Sequence, residues 1–559
     1  MNKIFEKIKS LNKTNYIIIL ILFIIVVLTI VLRSYHIDYP TVGYHNMKED
    51  EFLSFSLNMY ESGDYLRTTW YDCSVSTNDY YGDPYTRCNF NEGETPLPIW
   101  LLILFFLIFG WKLWVARLFI ILFAVGTVIV LYLLVKKLTK NDYIAVLSSF
   151  FYSILPLSIF FGRNIQMDSP SLFLALCSLF FFIIWIENRK FSTFLFACLF
   201  IVLTSWFKIT SLIVLSPLLF LFPYKEFFSK TYLREHIVFF VSIFLSLIWM
   251  LFIASALMPT TNVQSMSSGN FIGKNNWVDL SFSIFSNEYW LNYGPILKSY
   301  INDNYSFLGL WLILLGFFLF LLNYKSKISK FVIGYFLGII IYIVLFAYKW
   351  NAHNYYQFPF LVFASICLAN VFFQMGSFIG LFVDSKKYLK VLKYAPLLLI
   401  IFLITPFTES TMRQYNTQFF GQDVAGTFIN LNTEKDDIVL LERGIQNQIS
   451  WTSRRFYYSI PENYSTLIQL EKDLGLEYIV LTYSGINSAQ NKPSWDYIKK
   501  NYHIAQIGFI MVDNKPQIFH IVLKRGGFID FNLSLAGMLK AQTYEMSNNK
   551  IDYYVIHSE

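Results

Sequence analysis

Charge is scarce in this sequence: Asp, Glu, Lys and Arg make up 14% of 559 residues, where about a quarter is usual for a soluble globular chain. Together with a 55% hydrophobic and 19% aromatic content, that scarcity excludes a soluble globular protein and makes this an integral membrane protein. There is no P-loop, no dinucleotide fingerprint, no zinc-ligand spacing, no Gly-x-Ser-x-Gly element and no internal repeat, so the usual soluble catalytic motifs do not apply. Cysteine is sparse, at five residues. Cys177, Cys198 and Cys367 fall in apolar runs and read as small packing residues. Cys73 and Cys88 fall in a long polar loop where a disulfide can persist, and they are a candidate pair, with free thiols the alternative.

What is present is a series of apolar runs from Tyr16 to Phe407. A hydrocarbon core about 30 Å thick needs about 20 apolar residues per crossing. About eleven spans are expected, roughly 16–32, 114–135, 142–161, 171–186, 191–206, 209–222, 236–257, 306–322, 331–347, 355–381 and 393–407. With the N-terminus cytoplasmic, the basic residues fall consistently on the inner side, among them Lys136, Lys137, Lys140, Arg189, Lys325, Lys327, Lys386 and Lys387. Counting Leu97–Gly110 as a span would break that pattern, and at about fourteen residues it suits an interfacial segment. The first run is too long for a secretory h-region and has no small-residue cleavage site, so a retained anchor is expected. The net charge of +7 comes mostly from cytoplasmic loop residues, so it gives no support to nucleic-acid binding.

The expected organisation is thus a polytopic α-helical membrane module over 1–407 with a large first outer loop, 33–113, followed by an extracytoplasmic α/β domain over 408–559. In that second part, Asp437–Leu441, Glu477–Leu481 and Phe519–Leu523 are β-branched and strand-like, and Ser465–Leu474 has helical periodicity.

The polar residues that interrupt the membrane module fall at the outer ends of the expected spans. The segment Lys48-Glu49-Asp50-Glu51 opens the first loop, and Glu92 and Glu94 lie near its other end. Asp50 and Glu51 point about 100° apart on a helix, so one of them is the better placed base for a sugar transfer. The bland reading is an acidic helix start favoured by the helix dipole. Arg163 and Asp168 carry opposite charges five residues apart, suited either to holding and orienting a phosphate or to a structural ion pair. Lys208 reads as a phosphate ligand in a tight outer turn or as a snorkelling lysine. The turn from Tyr348 to Pro359 brings together Lys349, His353, Tyr355 and Tyr356, suited to gripping a phosphate and stacking a sugar, although interfacial tyrosines are also ordinary aromatic-belt residues.

In this order the elements resemble the GT-C superfamily of membrane glycosyltransferases, in the branch of protein O-mannosyltransferases and aminoarabinose transferases. The resembling motifs are Asp50-Glu51, Gly63-Asp64, Glu94-Thr95-Pro96-Leu97-Pro98-Ile99-Trp100, Arg117-Leu118, the Arg163 and Asp168 pair, and His353-Asn354-Tyr355-Tyr356-Gln357-Phe358-Pro359. The resemblance implies inverting transfer from a polyprenyl-phosphate sugar, as a hexosyltransferase does. The acceptor would be a lipid, cell-surface glycan or protein at the outer face of the cell membrane. The base role passes to Asp50 first and Glu51 second, with Arg163, Lys208, His353 and Lys349 on the donor phosphate and Glu92, Glu94, Asp168, Tyr355 and Tyr356 lining the substrates. Glu94 stands where aminoarabinose transferases carry a lysine, which argues against that sugar. No cofactor is indicated, and a divalent metal would need carboxylates that converge in space. The competing classes are a transporter or flippase of lipid-linked glycans, which would more often show repeats and charges at the bilayer midplane, and a non-catalytic surface-binding protein.

Overall fold

The computed structural model describes residues 13–68, 95–249, 282–382, 392, 394–442, 447–531, 535–547 and 549–557. The helices used below run in chain order as α1 (Lys13–Arg33), α2 (Asn46–Ser62), α3 (Pro96–Phe109), α4 (Leu113–Thr139), α5 (Asp142–Ile154), α6 (Pro156–Phe161), α7 (Asp168–Asn188) and α8 (Phe191–Lys208). They continue as α9 (Leu233–Ile248), α10 (Asn287–Tyr305), α11 (Phe307–Leu322), α12 (Lys327–Leu345), α13 (Ala347–Ala352), α14 (Leu361–Gly380) and α15 (Ile401–Asn416). The last five are α16 (Gln422–Asn432), α17 (Asn447–Ser453), α18 (Tyr464–Leu474), α19 (Tyr483–Gln490) and α20 (Trp495–Asn501). Among the described residues there are seven strands: β1 (Val439–Leu441), β2 (Tyr457–Ser459), β3 (Tyr478–Thr482), β4 (Tyr502–Val512), β5 (Lys515–Arg525), β6 (Leu539–Met546) and β7 (Asn549–His557).

The chain divides into two compact units. The helical unit takes the described residues up to Ile37, from Trp114 to Trp249 and from Phe282 to Arg413. Among the described residues eight helices are long and apolar enough to cross a membrane, and α10 with α11 makes a ninth if that pair, bent by 82°, is one span. The difference from eleven has local causes. Pro156 ends the expected 142–161 span after thirteen residues and starts the six-residue α6, because proline has no N–H to give and excludes the helical region for the residue before it. The expected spans 191–206 and 209–222 merge, since α8 runs on through a 3-10 turn to Leu215.

The second unit joins the described residues of 38–113 to those from Gln414 onward. Its sheet has the order β2-β1-β3-β5-β4-β7-β6. The first three strands are parallel and the rest antiparallel. The three expected strands correspond to β1, β3 and β5, and the expected helix to α18. Leu57 of α2 is buried in the same core as Leu440, Ile479 and Val522, so the segment after the first span is built into this domain's core. Helix α3 has the fourteen-residue length expected of the interfacial segment.

Candidate active site

In the second unit, α2 begins at His45, which adopts a left-handed conformation (φ 58°) as the N-cap, and stops at Gly63 (φ 71°). The acidic segment therefore occupies the first turns of a helix, where the unpaired N–H groups favour negative charge. Unlike a solvated acidic turn, its carboxylates are inside: Glu49 is buried, Asp50 is fully buried and Glu51 is buried. The Thr41 hydroxyl donates to Asp50 Oδ1 at 2.5 Å, and Lys48 pairs with Glu51 at 2.7 Å. Gly63-Asp64 has a structural use, as the glycine supplies the left-handed cap and Asp64 Oδ1 accepts from the backbone N–H groups of Leu66 and Arg67 at 3.1 and 3.2 Å. Glu92, Glu94, Cys73 and Cys88 lie outside the described residues.

In the helical unit, Lys208 sits where α8 gives way to the 3-10 turn, in extended backbone, rather than in a loop between two spans. Its ammonium pairs with Asp168 Oδ1 at 2.7 Å and lies 4.8 and 5.1 Å from the ring centres of Tyr355 and Tyr356. Tyr355 stacks on both Tyr356 and His353, at 4.9 and 5.1 Å between centroids. Five residues named from the sequence, Asp168, Lys208, His353, Tyr355 and Tyr356, are thus one cluster. A lysine ammonium carries three donors, so a side chain 21% exposed can hold Asp168 and a further oxygen ligand at once. Lys349 is exposed on α13.

Arg163 and Asp168 are both buried, and each has its own partner. Asp168 takes Lys208, whereas Arg163 donates to the carbonyls of Tyr35 and, at 3.1 Å, His36. Arg117 donates to the carbonyls of His36 and Ile37, both at 3.1 Å, and Arg33 donates to Ser153 O at 3.2 Å and Ser158 Oγ at 2.6 Å. Two buried guanidinium groups, those of Arg163 and Arg117, therefore hold the turn that leaves α1, and Arg33 ties the end of α1 to Ser153 and Ser158. Room for Arg33 depends on Gly162, where a Cβ would stand 2.6 Å from the arginine Nε and 2.2 Å from Ser158 O.

No local sequence signal marks what holds the His353–Tyr356 turn. Helix α10 does so almost carbonyl by carbonyl: Tyr289 donates to Ala347 O at 3.0 Å, Tyr300 to Ala352 O at 2.9 Å and Tyr305 to Gln357 O at 3.1 Å. Asn304 Nδ2 donates to Asn354 O and to Gln357 Oε1, both at 3.0 Å, and its own oxygen accepts from Asn354 Nδ2 at 3.2 Å. These residues lie about fifty positions from their partners, so no local pattern announces them. Among the described residues, no group of three or more His, Cys, Asp or Glu side chains is placed to hold a metal ion.

Residues 93–256 match the family model described as dolichyl-phosphate-mannose-protein mannosyltransferase. No curated protein matches the chain in sequence. The structure is similar to that of the oligosaccharyltransferase of Archaeoglobus fulgidus, solved with zinc and sulfate: the TM-score is 0.56 at 12% identity, over 92% of this chain and 74% of that one. It is also similar to ArnT of Cupriavidus metallidurans bound to undecaprenyl phosphate, with a TM-score of 0.52 at 12% identity over 92% of this chain and 98% of that one. At this identity the likeness is one of fold.

Proposed function

We propose that this chain, a multi-pass membrane protein with the GT-C glycosyltransferase fold, moves a sugar from a polyprenyl-phosphate donor to a hydroxyl- or amine-bearing acceptor, with inversion. One observation carries the reading. A lysine ammonium, oriented by a buried aspartate and lying against a stack of two tyrosines and a histidine, combines a cation for a phosphate with aromatic faces for a sugar ring. The solved relative bound to undecaprenyl phosphate supports the donor class. The acceptor is a lipid, cell-surface glycan or protein at the extracytoplasmic face of the cell membrane, with the N-terminus cytoplasmic and the domain beyond residue 407 extracytoplasmic.

In the reaction, the acceptor oxygen or nitrogen forms a bond to the anomeric carbon while the bond from that carbon to the phosphate oxygen breaks. Asp50 accepts the proton lost by the acceptor, with Glu51 as the second candidate, and the polyprenyl phosphate leaves carrying the bond's electron pair. Lys208, with His353 and Lys349, stabilises the charge that grows on the departing phosphate. Tyr355 and Tyr356 stack the sugar, Asp168 holds Lys208, and Glu92 and Glu94 line the acceptor side. Arg163 contributes from the donor side by fixing the turn after α1.

The test is transfer of radiolabelled sugar from a panel of synthetic polyprenyl-phosphate sugars, using purified protein in membranes supplied with host lipids and surface extracts. Wild type is expected to label an acceptor, and Asp50→Asn is expected to lose transfer while retaining donor binding. Full activity in Asp50→Asn would remove Asp50 as the base, and no transfer from any donor by folded protein would favour a transporter.

A further inference from the structure

We infer that the C-terminal sheet domain takes part in the reaction by positioning Asp50, and that it does so through Thr41, an inference that rests on Asp50 being the base.

Residues 39–46 lie along the C-terminal domain as a strap. Tyr39 donates to Gln418 Oε1 at 2.9 Å and accepts from the Glu545 backbone N–H at 2.9 Å. The Phe419 N–H donates to Val42 O at 2.7 Å, and Gly43 forms an antiparallel bridge with Gln418. Val42 is fully buried in one cluster with Ile510, Tyr544, Tyr553 and Val555. Asn46 Nδ2 reaches Gln422 Oε1 at 3.4 Å. The surface that receives the strap is itself held by a buried polar network, in which Tyr544 donates to Asp423, Gln542 donates to the same carboxylate at 3.3 Å, and the Gly421 N–H donates to Tyr544 at 2.9 Å.

Thr41 sits between these anchors, with backbone tied on both sides and its hydroxyl 2.5 Å from Asp50 Oδ1. A β-branched side chain has few χ1 options, so the hydroxyl is placed by the backbone that carries it. That backbone is placed by the C-terminal domain. The same domain also holds the later turns of the helix, since Leu57 enters its core and Lys435 pairs with Glu61 at 3.3 Å. A carboxylate that must meet a proton in one geometry loses rate steeply when it is displaced by about 1 Å, so the strap is a positioning device for the base rather than a passive tether. Thr41 is a positioning residue that acts through Asp50.

The experiment compares full-length Thr41→Val, Thr41→Ser, Tyr39→Phe and Asp50→Asn in proteoliposomes, with kcat and donor KM measured for each. Thr41→Val keeps the shape and removes the donor. It is expected to lower kcat by about tenfold or more with donor KM unchanged, and Thr41→Ser, which restores the hydroxyl, is expected to restore kcat. Tyr39→Phe, which loosens the strap without touching Asp50, is expected to lower kcat severalfold and keeps the test available if Thr41→Val does not fold. Unchanged kcat in Thr41→Val or in Tyr39→Phe beside an inactive Asp50→Asn overturns the inference and leaves the base in place, as does a Thr41→Val loss that Thr41→Ser does not repair. An active Asp50→Asn instead removes the reading on which the inference rests.

Discussion

Lys208 and Asp168 illustrate how one pair can have a stability role and a binding role that are separable. Asp168 is buried while the lysine retains some access to solvent, so removing the ammonium takes away the cation paired with a buried carboxylate. Lys208→Met is therefore expected to cost about 3 kcal/mol of stability as well as raising donor KM. The double variant Lys208→Met with Asp168→Asn is expected to recover the melting temperature and leave donor KM high. Recovery of both would make the pair structural. Gly162 is tighter still, because the methyl group of Gly162→Ala would meet Arg33 and the Ser158 carbonyl. That change is expected to cost about 1–3 kcal/mol, read as a lower melting temperature in detergent.

At the level of elements, α10 determines whether the His353–Tyr356 turn is rigid. Asn304 is fully buried and meets Asn354 and Gln357 through both ends of its amide. Asn304→Ala removes these hydrogen bonds and is expected to raise donor KM severalfold with little change in kcat, whereas a fall in kcat alone would place the turn's influence in the chemical step. Some of this was legible from the residues alone. Apolar runs announced the spans, because each crossing must be continuously apolar, and β-branched runs announced β1, β3 and β5. The acidic segment and the aromatic turn stood out because ionisable and polar groups interrupt an otherwise apolar pattern. What was not legible depends on partners remote in sequence, as when Asp168 pairs with Lys208, forty residues away. Thr41 has no local signature at all. Proline breaks such as that at Pro156 were hidden inside an unbroken apolar run.

For the whole molecule, the C-terminal domain introduces a pH dependence. His520 donates or accepts at Tyr553 (2.7 Å) and Gln506 (2.9 Å) in a fully buried site, where Gly508 leaves the space that a Cβ would fill at 2.1 Å from the imidazole. Burial, with His557 adding to it, pushes the imidazole from 6.5 down to about 3. Below pH about 6.5 the unfolded chain takes up a proton that the folded domain refuses, so stability falls as pH drops, by about 2 kcal/mol at pH 5. Asp423 acts in the opposite sense, because burial raises its carboxyl and its contribution is lost as pH rises through that value. Replacing His520 by Gln is expected to flatten the fall in melting temperature between pH 7 and pH 5, and an unchanged slope would assign the pH response elsewhere. The strap also imposes an order in time. Tyr39 and Gln418 are 379 residues apart, an interval of about 20–80 s at ordinary rates of translation. The helix bearing Asp50 therefore leaves the ribosome long before its dock at Gln418 exists, and, if the strap positions the base as inferred above, a chain cut short before Gln418 is expected to carry that helix without the hold on Thr41.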